Sequence, residues 1–338
     1  MRAALLYGKE DIRLEEMEIP QMEAKGLLLQ VKACGICGSD MRMFFNGPSP
    51  RYLNPVVLGH ELCGEVVRVG SLVQDFHPGD LVTVAPIIPC MHCDACGRGK
   101  DHICENGLVT GCTMHGGFAE YFYVPGQMTQ VGGAVKVPPG ISPQAAALSE
   151  VVGCCIHGWN QVGFQLGDRI LVYGDGPIGM TFVQLARLMG ASWIGVVGRR
   201  PQRLALCRQL GADETLDVSQ EQQWAVPGSS VDRVVVATSN TDALADGLKM
   251  VKSGGSLLVF SGYLYGTTFP FDLNQIHYRD LNIHGAIDCT VNEFKQAVSL
   301  LPQLQMDLLT NATYPLAEIK AAFYKTKERS INKIMIEP

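Results

Sequence analysis

Leu171-Val172-Tyr173-Gly174-Asp175-Gly176-Pro177-Ile178-Gly179 is the stretch that decides the fold. Residues 169–173 read as a buried strand, and residues 177–189 as a helix with apolar residues at helical spacing. A G-x-G-x-x-G pattern is a weak signal alone. Placed between a strand and a helix it becomes a dinucleotide fingerprint. Gly174 permits the tight turn, Gly176 lets a pyrophosphate approach the backbone, and Gly179 lets helix and strand pack closely. Pro177 and Ile178 open the helix, whose N-terminus then faces the phosphates. Asp175 is expected to turn to solvent, because a carboxylate aimed at a pyrophosphate would repel it.

Working outward, residues 193–197, 232–237 and 257–260 read as further strands, with a helix at 202–210 closed by Gly211. Alternating strands and helices imply a doubly wound parallel sheet, a Rossmann domain over residues 149–286. Residues 1–148 have a different texture. Short runs at 27–33, 63–69 and 81–85 end at turn signals such as His77-Pro78-Gly79-Asp80. This is a mostly-β domain. Residues 287–338 form a third segment, with helices at 291–301 and 316–327 and a strand at 333–336, returning to the first domain.

Composition narrows the partners. The 338 residues carry 27 Lys+Arg against 33 Asp+Glu, a net charge of −6, so no basic surplus exists to grip nucleic acid. No apolar run reaches the ~18 residues of a membrane helix, and residues 3–7 are too short for an export signal. A reducing, cytoplasmic location is expected, where the twelve cysteines read as metal ligands before disulfides. Cys90, Cys93, Cys96 and Cys104 have the spacing C-x2-C-x2-C-x7-C. Four thiolates on one loop make a closed tetrahedral zinc site; an iron–sulfur cluster uses four cysteines too, and zinc is the favoured reading. His92 and His102 are bystanders.

A second constellation joins Cys34-Gly35-Ile36-Cys37-Gly38-Ser39-Asp40 to Gly59-His60-Glu61-Leu62-Cys63-Gly64, with Gly70 beyond. Together these stretches resemble the zinc-containing medium-chain alcohol dehydrogenases, whose signature is G-H-E-x2-G-x5-G. The knuckle and the glycine loop fit that family, in the right order over essentially the whole chain. The resemblance is closest to the polyol branch, which includes sorbitol, threonine and butanediol dehydrogenases. It implies a GroES-like catalytic domain beside the Rossmann domain, and two zinc ions per chain. The catalytic ion would be held by Cys37, His60 and Glu61, with Glu150 binding directly or through water. Asp40 matches the carboxylate that orients the histidine ligand, and Ser39 the hydroxyl that passes the proton away. Cys34, Cys63, Cys154 and Cys155 match no ligand position and are expected in the core, as is His157. Arg42 stands where some relatives carry a relay histidine. An arginine stays protonated and cannot be that base; a cofactor phosphate is its alternative contact.

The resemblance implies hydride transfer between a nicotinamide and a primary or secondary alcohol of a polyol. The acidic residue that binds the adenosine ribose should follow the second strand. Here Gly198-Arg199-Arg200 stands instead, which favours NADP(H) over NAD(H); the arginines could otherwise merely solvate a helix start. A homodimer or homotetramer is implied, pairing through a sheet edge near 257–263 and 281–286. In sorbitol dehydrogenases the segment after the last nucleotide-domain strand carries an arginine and a tyrosine, where this chain has Asp288 and Cys289. An inward Asp288 would favour a hydroxyl-rich or amino-bearing polyol; an outward one would cap the helix near Val291. Competing readings are a zinc-free quinone or enone reductase and a non-catalytic NADPH-binding zinc protein.

Overall fold

The computed structural model describes residues 1–220, 230–328 and 331–338. The chain divides into two units, Met1–Gly153 with Asp288–Pro338, and Cys154–Ile287.

The second unit is a six-stranded parallel sheet in the order Glu214–Asp217, Trp193–Gly198, Arg169–Tyr173, Val231–Val236, Val251–Val259, Asn282–Gly285. The central strand, Arg169–Tyr173, pairs on both sides, so its side chains from Ile170 onward are buried whichever face they meet. That is why it reads as an unbroken apolar run. The helices Pro177–Leu188, Pro201–Gln209 and Thr241–Met250 provide the crossovers. The last of these starts at Asn240, whose side chain accepts the Asp242 N–H. Leu257 lies inside the sheet, since Val251–Val259 pairs with a strand on each side. Among the described residues the edge on that side is Asn282–Gly285 alone, which corrects the expectation of an edge near 257–263.

In the first unit, Leu27–Gly35 is the hub. It pairs antiparallel with Glu61–Val69, with Tyr121–Val124 and with the C-terminal strand Lys333–Glu337. Beyond these lie Leu81–Val84 and Ala134–Lys136 on one side and Thr310–Pro315 on the other. The strands Arg2–Gly8, Asp11–Glu16 and Val56–Val57 form a second, small sheet. The core of this unit packs Leu27, Leu29, Phe44, Leu58, Leu62, Phe118 and Phe323, all fully or nearly fully buried. Phe44 and Phe323 stack at 4.6 Å between ring centroids. This pins the helix Gly38–Asn46 on the sheet, with Cys37 at its N-terminus.

Candidate active site

Three strands and one helix end converge in the first unit. Cys37 caps the helix Gly38–Asn46, while His60 and Glu61 lie at the start of Glu61–Val69. Gly35 pairs with Glu61, and a Cβ on Gly35 would stand 2.2 Å from Glu61 Oε2. The glycine is therefore what leaves room for the carboxylate. The donor atoms of Cys37, His60 and Glu61 all lie within 4.8 Å of one another.

Asp40 is fully buried and ties the cluster together. Its carboxylate accepts the Cys37 N–H at 2.9 Å and the Gly59 N–H at 3.3 Å, and stands 3.7 Å from His60 Nδ1. It thus fixes the backbone beside two of the candidate metal ligands as well as facing the imidazole. Burial pushes Asp40 upward, against the pull of His60 and the two N–H groups. Burial also works to strip the proton from His60, but the charges of Cys37 and Asp40 outweigh it and raise the imidazole well above its usual range. Ser39 Oγ is buried with no hydrogen-bond partner. Glu150 sits buried in the first turn of the helix Ser149–Val162, and its charge acts on both His60 and Lys333.

Lys333 is the member of this cluster that sequence reasoning missed. The register of Lys333–Glu337 against Leu27–Gly35 brings it here, with the Ile36 N–H donating to the Ile334 carbonyl at 3.0 Å. Its Nζ donates to Glu61 Oε1 at 2.7 Å and to the Ile36 carbonyl at 3.2 Å, and lies 2.7 Å from Glu61 Oε2. Lys333 and Glu61 are only 7% and 1% exposed. Burial works against the ammonium, yet the Glu61 and Cys37 charges hold its pKa above the ordinary lysine value. The available signal was a lysine opening an otherwise apolar strand, a position rarely buried without a partner.

The knuckle forms as well. The donor atoms of Cys90, Cys93, Cys96 and Cys104 lie within 4.8 Å of one another, around the short helix Asp94–Gly97 and the turn Asp101–Ile103. The Cys90 N–H points at Cys104 Sγ, 3.2 Å away. The His92 backbone N–H lowers the Cys90 thiol to about 6, as suits a thiolate ligand. The His92 ring makes a 2.7 Å contact with the Cys90 carbonyl. Cys34, Cys63, Cys154, Cys155 and His157 are all buried.

In the second unit the loop Gly174–Gly179 runs from strand to helix as the spacing implies. A Cβ on Gly179 would stand 1.9 Å from the Gly174 carbonyl oxygen, so the close approach is real. Asp175 does not turn to solvent. It is 9% exposed, and its Oδ2 accepts the N–H groups of Arg199 and Arg200 at 3.0 and 2.9 Å. Those two donors end the strand Trp193–Gly198 and need an acceptor. Gly198 makes room, since a Cβ there would meet the Asp175 carboxylate at 2.6 Å. Arg203, on the helix Pro201–Gln209, is buried beside this group; burial and the charge of Arg200 lower its pKa. Its Nη1 lies 3.8 Å from where a Gly176 Cβ would be, a contact that sequence reasoning also missed.

Asp288 is half-exposed with φ 54°, in the left-handed region. It does not cap the following helix. Thr290 does, accepting the Glu293 N–H while Glu293 reaches back to the Thr290 N–H.

The alcohol dehydrogenase GroES-like domain family matches residues 23–139, and the zinc-binding dehydrogenase family matches residues 177–303. A D-arabitol-phosphate dehydrogenase from Enterococcus avium is 30% identical over 340 residues, covering 98% of this chain and 95% of that protein. This chain belongs to the zinc-containing medium-chain alcohol dehydrogenases. A sorbitol dehydrogenase from Bacillus subtilis is 28% identical over 350 residues, covering 100% and 97% of the two chains. Among solved structures, a zinc-binding dehydrogenase from Sinorhizobium meliloti, bound to NADP, superposes with a TM-score of 0.92 at 29% identity, covering 100% and 99%. As a member of this family the chain is an oxidoreductase with a GroES-like unit and a Rossmann unit, and it uses zinc and a nicotinamide cofactor.

Proposed function

We propose that this dehydrogenase holds two zinc ions per chain, prefers NADP(H) and acts on a polyol. The convergence of Cys37, His60 and Glu61 donor atoms within 4.8 Å is the observation that carries the reading. One thiolate, one imidazole and one carboxylate are donors zinc accepts while keeping a position open, whereas the four thiolates of the knuckle close theirs. A zinc-free reductase of the same fold has no use for either cluster. The named activities of the similar arabitol-phosphate and sorbitol dehydrogenases support a polyol substrate.

Cys37, His60 and Glu61 would hold the zinc, which would supply Lewis acidity toward an alcohol hydroxyl, and the nicotinamide would supply the hydride chemistry. Ser39 Oγ, buried and otherwise unbonded, takes the hydroxyl proton and hands its own onward. Asp40 holds Cys37 and the residue before His60 in place through the N–H groups of Cys37 and Gly59, and Lys333 fixes the Glu61 carboxylate. Glu150 stands ready as a further ligand, directly or through water. In the second unit, Gly174, Gly176, Pro177, Ile178 and Gly179 carry the pyrophosphate. Gly198, Arg199 and Arg200 meet a 2′-phosphate, with Arg203 adding charge beside Gly176. The NADP in the similar structure supports this preference.

The strand edge Asn282–Gly285, with Ile283, Leu264, Tyr265 and Tyr278 exposed in the same unit, supports pairing into a homodimer or homotetramer. Twelve unbridged cysteines suit a cytoplasmic location. The test is steady-state turnover of a polyol panel with NADP+ and with NAD+, on enzyme of measured zinc content. Zinc-dependent turnover is expected, and it also excludes a non-catalytic NADPH-binding role. A fully active Cys37→Ala variant, or no turnover of any polyol with either cofactor, overturns the reading.

A further inference from the structure

In a dinucleotide-binding sheet the acid that receives the adenosine ribose stands about 20 residues beyond the glycine loop, at the end of the second strand. Here that strand, Trp193–Gly198, ends on a glycine with two arginines after it. A carboxylate is nevertheless present at that spot. A Cβ built on Gly198 would stand 2.6 Å from both Cβ and Oδ2 of Asp175, and 2.7 Å from its Cγ. Asp175, from the glycine loop, thus fills the space into which a side chain at position 198 would grow. The two positions exclude each other. An acid at 198 would collide with Asp175, and Asp175 lies there because 198 is a glycine.

The carboxylate is held with one oxygen to spare. Oδ2 accepts the N–H groups of Arg199 and Arg200 at 3.0 and 2.9 Å, which fixes the group against the strand end. These bonds use the arginines' backbone and leave their guanidinium groups uncommitted to Asp175. Arg199 is exposed and Arg200 half-buried. Oδ1 accepts no hydrogen bond among the described residues, although a carboxylate oxygen has lone pairs for two. An oriented, largely buried acceptor of this kind suits a hydroxyl donor. A phosphate in the same place offers like charge instead, and is repelled.

We propose that Asp175 is the ribose acceptor of this enzyme, moved from the strand end to the glycine loop, where it binds the adenosine 2′-hydroxyl of NAD(H) and limits the preference for NADP(H) that Arg199 and Arg200 create. The chain then carries two readers of the same ribose position. The carboxylate comes from the loop and takes a hydroxyl; the guanidinium groups come from beyond the strand and take a phosphate. The inference rests on the dehydrogenase reading and adds NAD(H) to it as a second usable cofactor.

The experiment is equilibrium binding of NADH, NADPH and 2′-deoxyadenosine NADH to zinc-loaded enzyme without substrate, read from nicotinamide fluorescence. Wild type should bind the 2′-deoxy analogue about 10-fold or more weaker than NADH. Asp175→Asn keeps the shape and an oxygen for the two N–H groups but deletes the charge. In that variant the gap should shrink to about threefold or less, and the ratio of the NADH to the NADPH dissociation constant should rise by about 10-fold. Asp175→Ala combined with Gly198→Asp returns the acid to the strand end, and should recover the NADH affinity lost in Asp175→Ala alone. Equal binding of NADH and its 2′-deoxy analogue by wild type overturns the proposal, as does an unchanged gap in Asp175→Asn. A loss of NADPH affinity in Asp175→Asn, with faster exchange of the Arg199 and Arg200 amide hydrogens in the nucleotide-free protein, overturns it as well, since Asp175 would then only brace the arginines. Failure of wild type to bind either natural nucleotide refutes the dehydrogenase reading itself.

Discussion

Lys333→Met is the most informative single change, because methionine keeps most of the length and the apolar stem while deleting the charge. The lost Nζ lies 2.7 Å from both oxygens of Glu61, in a place where the two residues are almost wholly buried. Removing one partner of a buried pair leaves an uncompensated charge and costs about 3–5 kcal/mol. That figure applies to the metal-free protein. With zinc in the proposed site Glu61 would have a second cation, so the same substitution should cost the loaded protein less, by at least about 1.4 kcal/mol, a tenfold change in the folding constant. The pH dependence follows from Lys333, whose folded pKa is raised. The pair's stabilisation is fully present below the unfolded lysine value of ~10.4 and fades only as pH climbs through the higher folded value. Neutral pH is therefore the right condition. Urea unfolding of wild type, Lys333→Met, Glu61→Gln and the double variant, each with and without zinc, gives the coupling energy as a cycle. A coupling under ~1 kcal/mol in the metal-free protein, or equal losses with and without zinc, would refute the argument that Lys333 acts as the counter-charge of Glu61.

Metal analysis should find two zinc equivalents per chain; brief chelation should remove one, abolish activity and leave the fold intact, and a preparation without zinc would count against both sites. Ser39→Ala should lower kcat by about 100-fold or more with zinc content unchanged, and a kcat within threefold of wild type would remove the serine from the proton path. Arg199→Ala and Arg200→Ala should each weaken NADPH binding by about 10- to 100-fold, the equivalent of 1.5–3 kcal/mol, while sparing NADH; equal use of both cofactors by wild type would sink the preference. Ile283→Lys, on the strand Asn282–Gly285, should convert the oligomer to a monomer by light scattering, and a monomeric wild type at micromolar concentration would show that the edge has no such role.

What could be read from residues alone was what the chain writes locally. The glycine loop is six contiguous residues, the knuckle spans one short loop, and His60 and Glu61 are neighbours. What escaped depends on partners far away in sequence. Lys333 meets Glu61 across 272 residues, so no window around either contains the other. The burial of Asp175 depends on the missing side chain of Gly198 and on two N–H groups at Arg199 and Arg200. The helix Ser149–Val162 was missed because Gly153, Gly158 and the paired cysteines weaken its local propensity, and burial decides it instead. Of the two stretches expected at the sheet edge, 281–286 is there and 257–263 is not, because an apolar strand looks alike whether its neighbour is solvent or another strand. The cap at Thr290 was legible in principle, since Thr290-Val291-Asn292-Glu293 has the capping-box spacing.

The first unit is discontinuous, with the whole of Cys154–Ile287 inserted before its closing segment Asp288–Pro338. On a ribosome this sets an order of events. Glu61 emerges 272 residues ahead of its cation, roughly 15–55 s at about 5–20 residues per second. Through that interval the Cys34–Gly35 end of the nascent hub strand lacks its pairing with Lys333–Glu337, and the carboxylate it helps to bury has no counter-charge. The inserted unit is contiguous and can close on itself first. The catalytic unit is therefore the late folder, dominated by contacts of long sequence separation, and its open strand edge is the place where an incomplete chain is exposed to aggregation or in need of a chaperone.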